Sequence, residues 1–116
     1  MRIIRIIISL LAVVAIVQSC STDELASLSN VEASDVNYTD HIFPVISSYC
    51  ICCHSGSSPA AGIGLESYAD VVKHMSEGNM HTRINDGENP MPPGELIPPR
   101  YREIFKNWSD NQFKAR

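Results

Sequence analysis

The chain has 116 residues, with 9 Lys and Arg against 13 Asp and Glu and a formal charge of −4. That length is room for one domain. An acidic balance with no basic patch disfavours nucleic acid as a partner.

Met1 to Ser19 carries Arg2 and Arg5, an apolar run from Ile6 to Val17, and then Gln18-Ser19-Cys20. A basic start, an apolar core too short for a membrane span and small residues at the cut describe a signal peptide over residues 1–19. Val17-Gln18-Ser19-Cys20 resembles a bacterial lipoprotein box, with an aliphatic residue three before the cysteine and a small one just before it. That resemblance implies that Cys20 is lipidated, becomes the mature N-terminus and holds the protein to a membrane of the bacterial cell envelope. An ordinary secretory signal and a single-span anchor are the alternatives. Removing residues 1–19 takes away two arginines and no acid, which leaves 7 basic and 13 acidic residues and a charge of −6. Such a surface suits solubility and can steer a basic partner.

Residues 20–36 are polar, small and acidic after Cys20, and read as a flexible tether. The folded domain is expected over 37–116. Asp40 can cap a helix whose face is Ile42, Phe43, Ile46 and Tyr49, with Pro44 tolerated in its first turn. This helix runs into Cys50-Ile51-Cys52-Cys53-His54.

Ser55 to Pro59 breaks regular structure, and Gly62 and Gly64 keep the next stretch loose. Ser67 opens a second helix, with Asp70 as its capping-box partner and Tyr68, Val71, Val72 and Met75 as its apolar side. Gly78-Asn79 ends it. Met80 to Asn85 allows one or two helical turns. Five prolines between Glu88 and Pro99 impose a stiff extended loop. The last helix covers Arg100 to Gln112 with Tyr101, Ile104, Phe105 and Trp108 on one side. No stretch alternates like a strand. The fold class is therefore all-α, with about three main helices and irregular loops. Roughly 80 residues bury only a marginal core, which a large flat apolar cofactor would complete.

The cysteines are Cys20, Cys50, Cys52 and Cys53. With Cys20 lipidated, three clustered thiols remain, which is not a disulfide framework. Cys50, Cys53 and His54 spell C-x-x-C-H, the covalent haem attachment pattern. Attachment needs two thiols that reach the vinyl groups on one porphyrin edge, and a histidine beneath the iron. Cys50 and Cys53 are three apart on one helical turn, and His54 follows directly. The expected roles are thioether links from Cys50 and Cys53 and axial ligation by His54. Met91, in Asn89-Pro90-Met91-Pro92-Pro93-Gly94, is the expected sixth ligand: its thioether is soft, and flanking prolines reduce the entropy lost in holding it. Met80 competes with it. Met75 reads as helix core, and His41, His74 and His81 as surface. Phe43, Ile46, Leu65, Tyr68, Val72, Ile84, Ile104 and Trp108 are candidate apolar contacts. Arg83, Arg100 and Tyr101 are candidates for the haem propionates.

From about Asn37 to Phe113 the chain resembles a small bacterial c-type cytochrome domain. The resemblance rests on a helix ending in the cysteines, a middle helix after Gly64-Leu65-Glu66-Ser67-Tyr68, a Met-Pro-Pro loop and a closing helix containing Trp108. It implies a cytochrome c-like fold around one covalent haem c per chain. It also implies first and last helices packed across each other, with Phe43 near Phe105 and Trp108. The expected role is electron transfer, with a dehydrogenase or a terminal oxidase or reductase as redox partner. Iron held on both sides leaves no open position, so no enzyme is expected. Cys52 departs from the pattern; on a helical turn it points away from Cys50 and Cys53, as a tolerated small residue. The alternatives are a zinc- or copper-binding lipoprotein using the Cys/His cluster, and a haem c sensor with labile methionine ligation.

Overall fold

The computed structural model describes residues 30–116. The expected signal peptide, the lipidation site Cys20 and most of the expected tether lie outside the described residues. Among the described residues the structure is all helix and loop, with no strand. Four α-helices follow in order: α1 Phe43–Tyr49, α2 Tyr68–Ser76, α3 Met80–Arg83 and α4 Pro99–Asp110. None is long and apolar enough to cross a membrane.

The packed structure starts before the boundary expected at residue 37. Val36 is fully buried and Val31 packs against the core. A short 3-10 turn, Ala33–Asp35, is fastened to the end of α4 by Asn111, whose amide donates to the Ala33 carbonyl at 2.5 Å. The apolar residues of this stretch are few, so composition alone reads it as tether.

The entry to α1 differs from the expected cap. Asn37, not Asp40, is the N-cap: its side-chain oxygen accepts from the Asp40 amide at 2.9 Å. The first turn, Tyr38–Ile42, is a π turn, and the Ile42 and Phe43 amides reach back five residues to Asn37 and Tyr38. Pro44 cannot donate to the carbonyl four residues back, and its ring crowds that carbonyl in a normal turn. The wider turn relieves the crowding. It also rotates the residues that follow. Ile42, Val45 and Ile46 are buried, while Phe43 is 43% exposed. Tyr38 takes the place expected for Phe43, with its ring 5.8 Å from Trp108.

Helix α2 starts as its sequence dictates. The Ser67 hydroxyl accepts from the Asp70 amide at 3.2 Å and donates to the Asp70 carboxylate at 2.5 Å. Val71 and Met75 are buried, whereas Tyr68 is 38% exposed and anchors its hydroxyl on the Phe113 carbonyl at 2.6 Å. Gly78 is required just past the helix, because a Cβ there would meet the His74 carbonyl oxygen at 2.8 Å.

Helix α4 buries Tyr101, Ile104, Phe105 and Trp108, the expected face. Burial of an aromatic side chain of ~150–250 Å² at ~25 cal/mol per Å² contributes about 4–6 kcal/mol, so Trp108, Tyr101 and Phe105, the largest fully buried side chains, contribute most to the core. The helix closes in a Schellman motif. Phe113 N–H donates to the Trp108 carbonyl at 3.0 Å and Gln112 N–H to the Ser109 carbonyl at 3.0 Å, with Gln112 left-handed at φ 56°. The hydrophobic contact of that motif is Phe113 on Trp108, edge to face at 4.9 Å. The tail then runs back beside α1. Lys114 O accepts both the Trp108 indole N–H at 2.9 Å and the Tyr38 amide at 2.8 Å.

Candidate functional site

A cavity of about 410 Å³ opens between the end of α1, the loop after it, α2, α3 and the proline loop. Its walls contain all four residues expected to bind a cofactor: Cys50, Cys53, His54 and Met91. They are separated by up to 41 positions in sequence and meet only here.

The cysteine segment is a turn rather than a continuation of α1. The helix ends when the Cys50 and Ile51 amides both bond to the Ile46 carbonyl, at 2.9 and 3.1 Å. The Cys50 carbonyl then accepts from Cys53 N–H at 3.1 Å and His54 N–H at 2.9 Å. One carbonyl thus fixes Cys50, Cys53 and His54 relative to each other. Burial pushes the Cys50 thiol up to about 12, with the adjacent Cys52 adding to the shift, so it stays protonated at neutral pH. The Cys53 thiol is also raised, mainly by its hydrogen bond with Cys52.

Cys52 does not point away from its neighbours. It lines the same cavity, and its Sγ lies 3.6 Å from that of Cys53. The expectation assumed an unbroken helix; the turn after Tyr49 removes the angular separation that a helix would impose.

His54 is held at both ends. Its carbonyl accepts from the Leu65 amide at 2.9 Å, and its Nδ1 lies 2.8 Å from the Ile63 carbonyl oxygen. A carbonyl can only accept, so Nδ1 carries the proton and Nε2 is the free lone-pair donor. The loop that delivers Ile63 turns through Ala61 at φ 54° and Gly62 at φ 70°. A left-handed alanine costs roughly 1–2 kcal/mol and stands in the cavity wall, where strain of this kind often serves a site.

Met91 is positioned by its backbone. Its amide donates to the Arg83 carbonyl at 3.1 Å, which ties the proline loop to the end of α3. Asp86 braces the same loop by accepting from the Glu88 and Asn89 amides at 2.9 and 3.0 Å. These bonds, Asn89 first, hold the Asp86 carboxyl below its ordinary value, and Arg83 at 3.7 Å adds to this. The Met91–Pro92 peptide bond is cis.

The wall contains two further ligand-type side chains, Met80 and His74. His74 was expected at the surface; it is half-buried, three residues after the buried Val71, so its helical spacing already placed it beside the apolar face. His41 accepts from the Asn37 amide through Nδ1 at 3.1 Å, outside the cavity, and His81 is exposed. Of the expected apolar contacts, Leu65 and Ile84 line the cavity, whereas Ile46, Ile104 and Trp108 belong to the core behind it. Tyr68 and Val72 are absent from the lining, and Phe43 faces solvent. Tyr49, Ala60 and Ile63 line it instead. Of the three propionate candidates only Arg83 reaches the wall. Arg100 donates to the Tyr101 hydroxyl and lies over its ring at 4.5 Å, while Tyr101 is buried against Tyr49.

The volume falls within the ~300–1,000 Å³ usual for small-molecule sites. The donor set is two thiols, one oriented imidazole and a thioether, residue types that can hold a haem. Among the described residues, no group of three or more His, Cys, Asp or Glu is arranged to hold a metal ion. Comparison with known proteins finds no matching family model, no matching curated protein and no matching solved structure.

Proposed function

We propose that this chain is an electron-transfer c-type cytochrome with one haem c, exported and tethered to a bacterial envelope membrane by lipid on Cys20. The observation that carries the reading is a single cavity wall containing Cys50, Cys53, His54 and Met91, with His54 Nδ1 committed to Ile63 O. Cys50 and Cys53 would hold the haem by thioether bonds, and His54 Nε2 and Met91 Sδ would coordinate its iron. When bound, haem c supplies one-electron chemistry, its iron alternating between Fe(II) and Fe(III). The chain's own part is to orient. The Ile63 carbonyl fixes the imidazole's tautomer, the Arg83 carbonyl anchors the methionine loop, and Leu65 and Ile84 keep the pocket apolar. The partner is a dehydrogenase or a terminal oxidase or reductase that meets an acidic surface.

Reduced-minus-oxidised spectra and a pyridine haemochrome assay on protein matured with haem-attachment machinery test this. Protein that emerges without covalent haem overturns it. A second reading, a haem c sensor in which Met91 yields, is favoured by Met80 and His74 in the same wall. Loss of the near-infrared methionine–iron band in one redox state would select it. The zinc or copper reading has less support, because the Cys/His cluster offers no third donor grouped with two others.

A further inference from the structure

Haem attachment uses Cys50 and Cys53 and leaves Cys52 without a task. In the structure Cys52 and Cys53 are both exposed, both line the cavity, and their sulfurs are 3.6 Å apart. Cys50 is half-buried. We propose that Cys52 is a redox gate: a reversible Cys52–Cys53 disulfide withholds Cys53 from haem attachment until it is reduced. This rests on the haem reading given above.

The step is thiol–disulfide exchange with an external disulfide, the class of oxidant that exported thiols meet. The Cys52 thiolate attacks one sulfur of that disulfide. Its S–S bond breaks, a mixed disulfide forms and one thiolate leaves. Cys53 then attacks the Cys52 sulfur, the Cys52–Cys53 bond forms and the second thiolate leaves. The two protons lost by the cysteines go to the two departing thiolates. The pair is oxidised by two electrons and the external disulfide is reduced. Attack by an external dithiol reverses every step. The product is strained: adjacent Cα atoms are ~3.8 Å apart, short of the ~4.4–6.8 Å that disulfides prefer. Strained, exposed disulfides are the reducible ones, so the block is temporary.

The link also has a direct consequence for bonding. A sulfur bonded to Cys52 has no free valence for a thioether, so the chain would hold haem through Cys50 alone or not at all. Serine at 52 removes the gate and leaves both attachment thiols untouched.

The test uses the full chain, wild type and Cys52→Ser, exported in cells with haem-attachment machinery, with and without 2-hydroxyethyl disulfide in the medium. Covalent haem per chain is measured, and the haem-free fraction is alkylated and peptide-mapped. The expected result is a several-fold loss of haem in wild type on oxidant, no loss in Cys52→Ser, and a Cys52–Cys53 link in haem-free wild type that dithiothreitol removes. Equal sensitivity of both proteins, or a link mapped to Cys50–Cys53, overturns the proposal. If neither protein takes up haem under any condition, the haem reading fails, and the map still decides whether Cys52 and Cys53 pair.

Discussion

His54 Nδ1 and the Ile63 carbonyl oxygen, nine positions apart in sequence, lie 2.8 Å apart across the 55–62 loop. That contact gives the imidazole one tautomer and one orientation, and it leaves Nε2 of this cavity-lining side chain as the free lone-pair donor. The donor is a side chain next to the cysteines, while the acceptor is a backbone atom whose side chain is unimportant to the bond. Lengthening or stiffening the 55–62 loop is the way to disturb it.

On the haem reading, Met91→Ala separates the proposed iron ligand from the proposed attachment residues. It leaves both thiols and His54 in place, so covalent haem should be retained. The potential should fall, the near-infrared methionine band should vanish, and imidazole or cyanide should bind where they do not bind wild type. If the spectrum is unchanged, Met80→Ala and His74→Ala, which remove further donors of the same wall, identify the ligand.

Tyr38→Phe should leave stability unchanged or raise it by up to ~1 kcal/mol, read from urea unfolding. Among the described residues the Tyr38 hydroxyl is buried without a hydrogen-bond partner, and burial, then Asp70, raises its pKa. The ring is what packs, on Tyr68 at 5.2 Å and Trp108 at 5.8 Å, and phenylalanine keeps it. A loss of more than ~1 kcal/mol would mean the hydroxyl has a partner after all.

Gln112→Gly should stabilise by about 1 kcal/mol. The Schellman motif at the end of α4 needs a left-handed residue, and Gln112 supplies it at φ 56° with a Cβ in the way. Glycine also gains freedom in the unfolded chain, which limits the gain. Equilibrium denaturation in urea reads the difference.

Asp86 gives an acid dependence whose sign is fixed. Its folded pKa is depressed below 3.8, so its contribution is present above that ordinary value and lost as pH falls through the folded value. The stability gap between wild type and Asp86→Asn should therefore be flat above about pH 5 and close below the ordinary aspartate range. Because Asp86 braces the Met91 loop, the methionine band of holoprotein should weaken over the same acid window. A gap that instead opens toward low pH would reverse the assignment.

The helices were legible because their signals are local. Ser67 with Asp70, Gly78-Asn79 and the 101/104/105/108 face each act within a turn or two, where spacing and capping chemistry suffice. Errors arose where a local pattern met a steric detail elsewhere. The ring of Pro44 widened the first turn and turned Phe43 outward, and the early close of α1 at Tyr49 brought Cys52 beside Cys53.

By itself the sequence determined that the described residues are all helix and loop, and it singled out two thiols, a histidine and a methionine as candidates, because those residue types and spacings are chemically restrictive. Tertiary structure alone decided that Cys50, Cys53, His54 and Met91 share one wall, that Met80 and His74 stand there too, and that Arg83 rather than Arg100 or Tyr101 reaches the cavity. It also supplied the Ile63, Arg83 and Lys114 carbonyls as anchors. Every residue but proline carries the same backbone donor and acceptor, so no side-chain pattern marks which will be used. That choice is made only when the chain closes on itself.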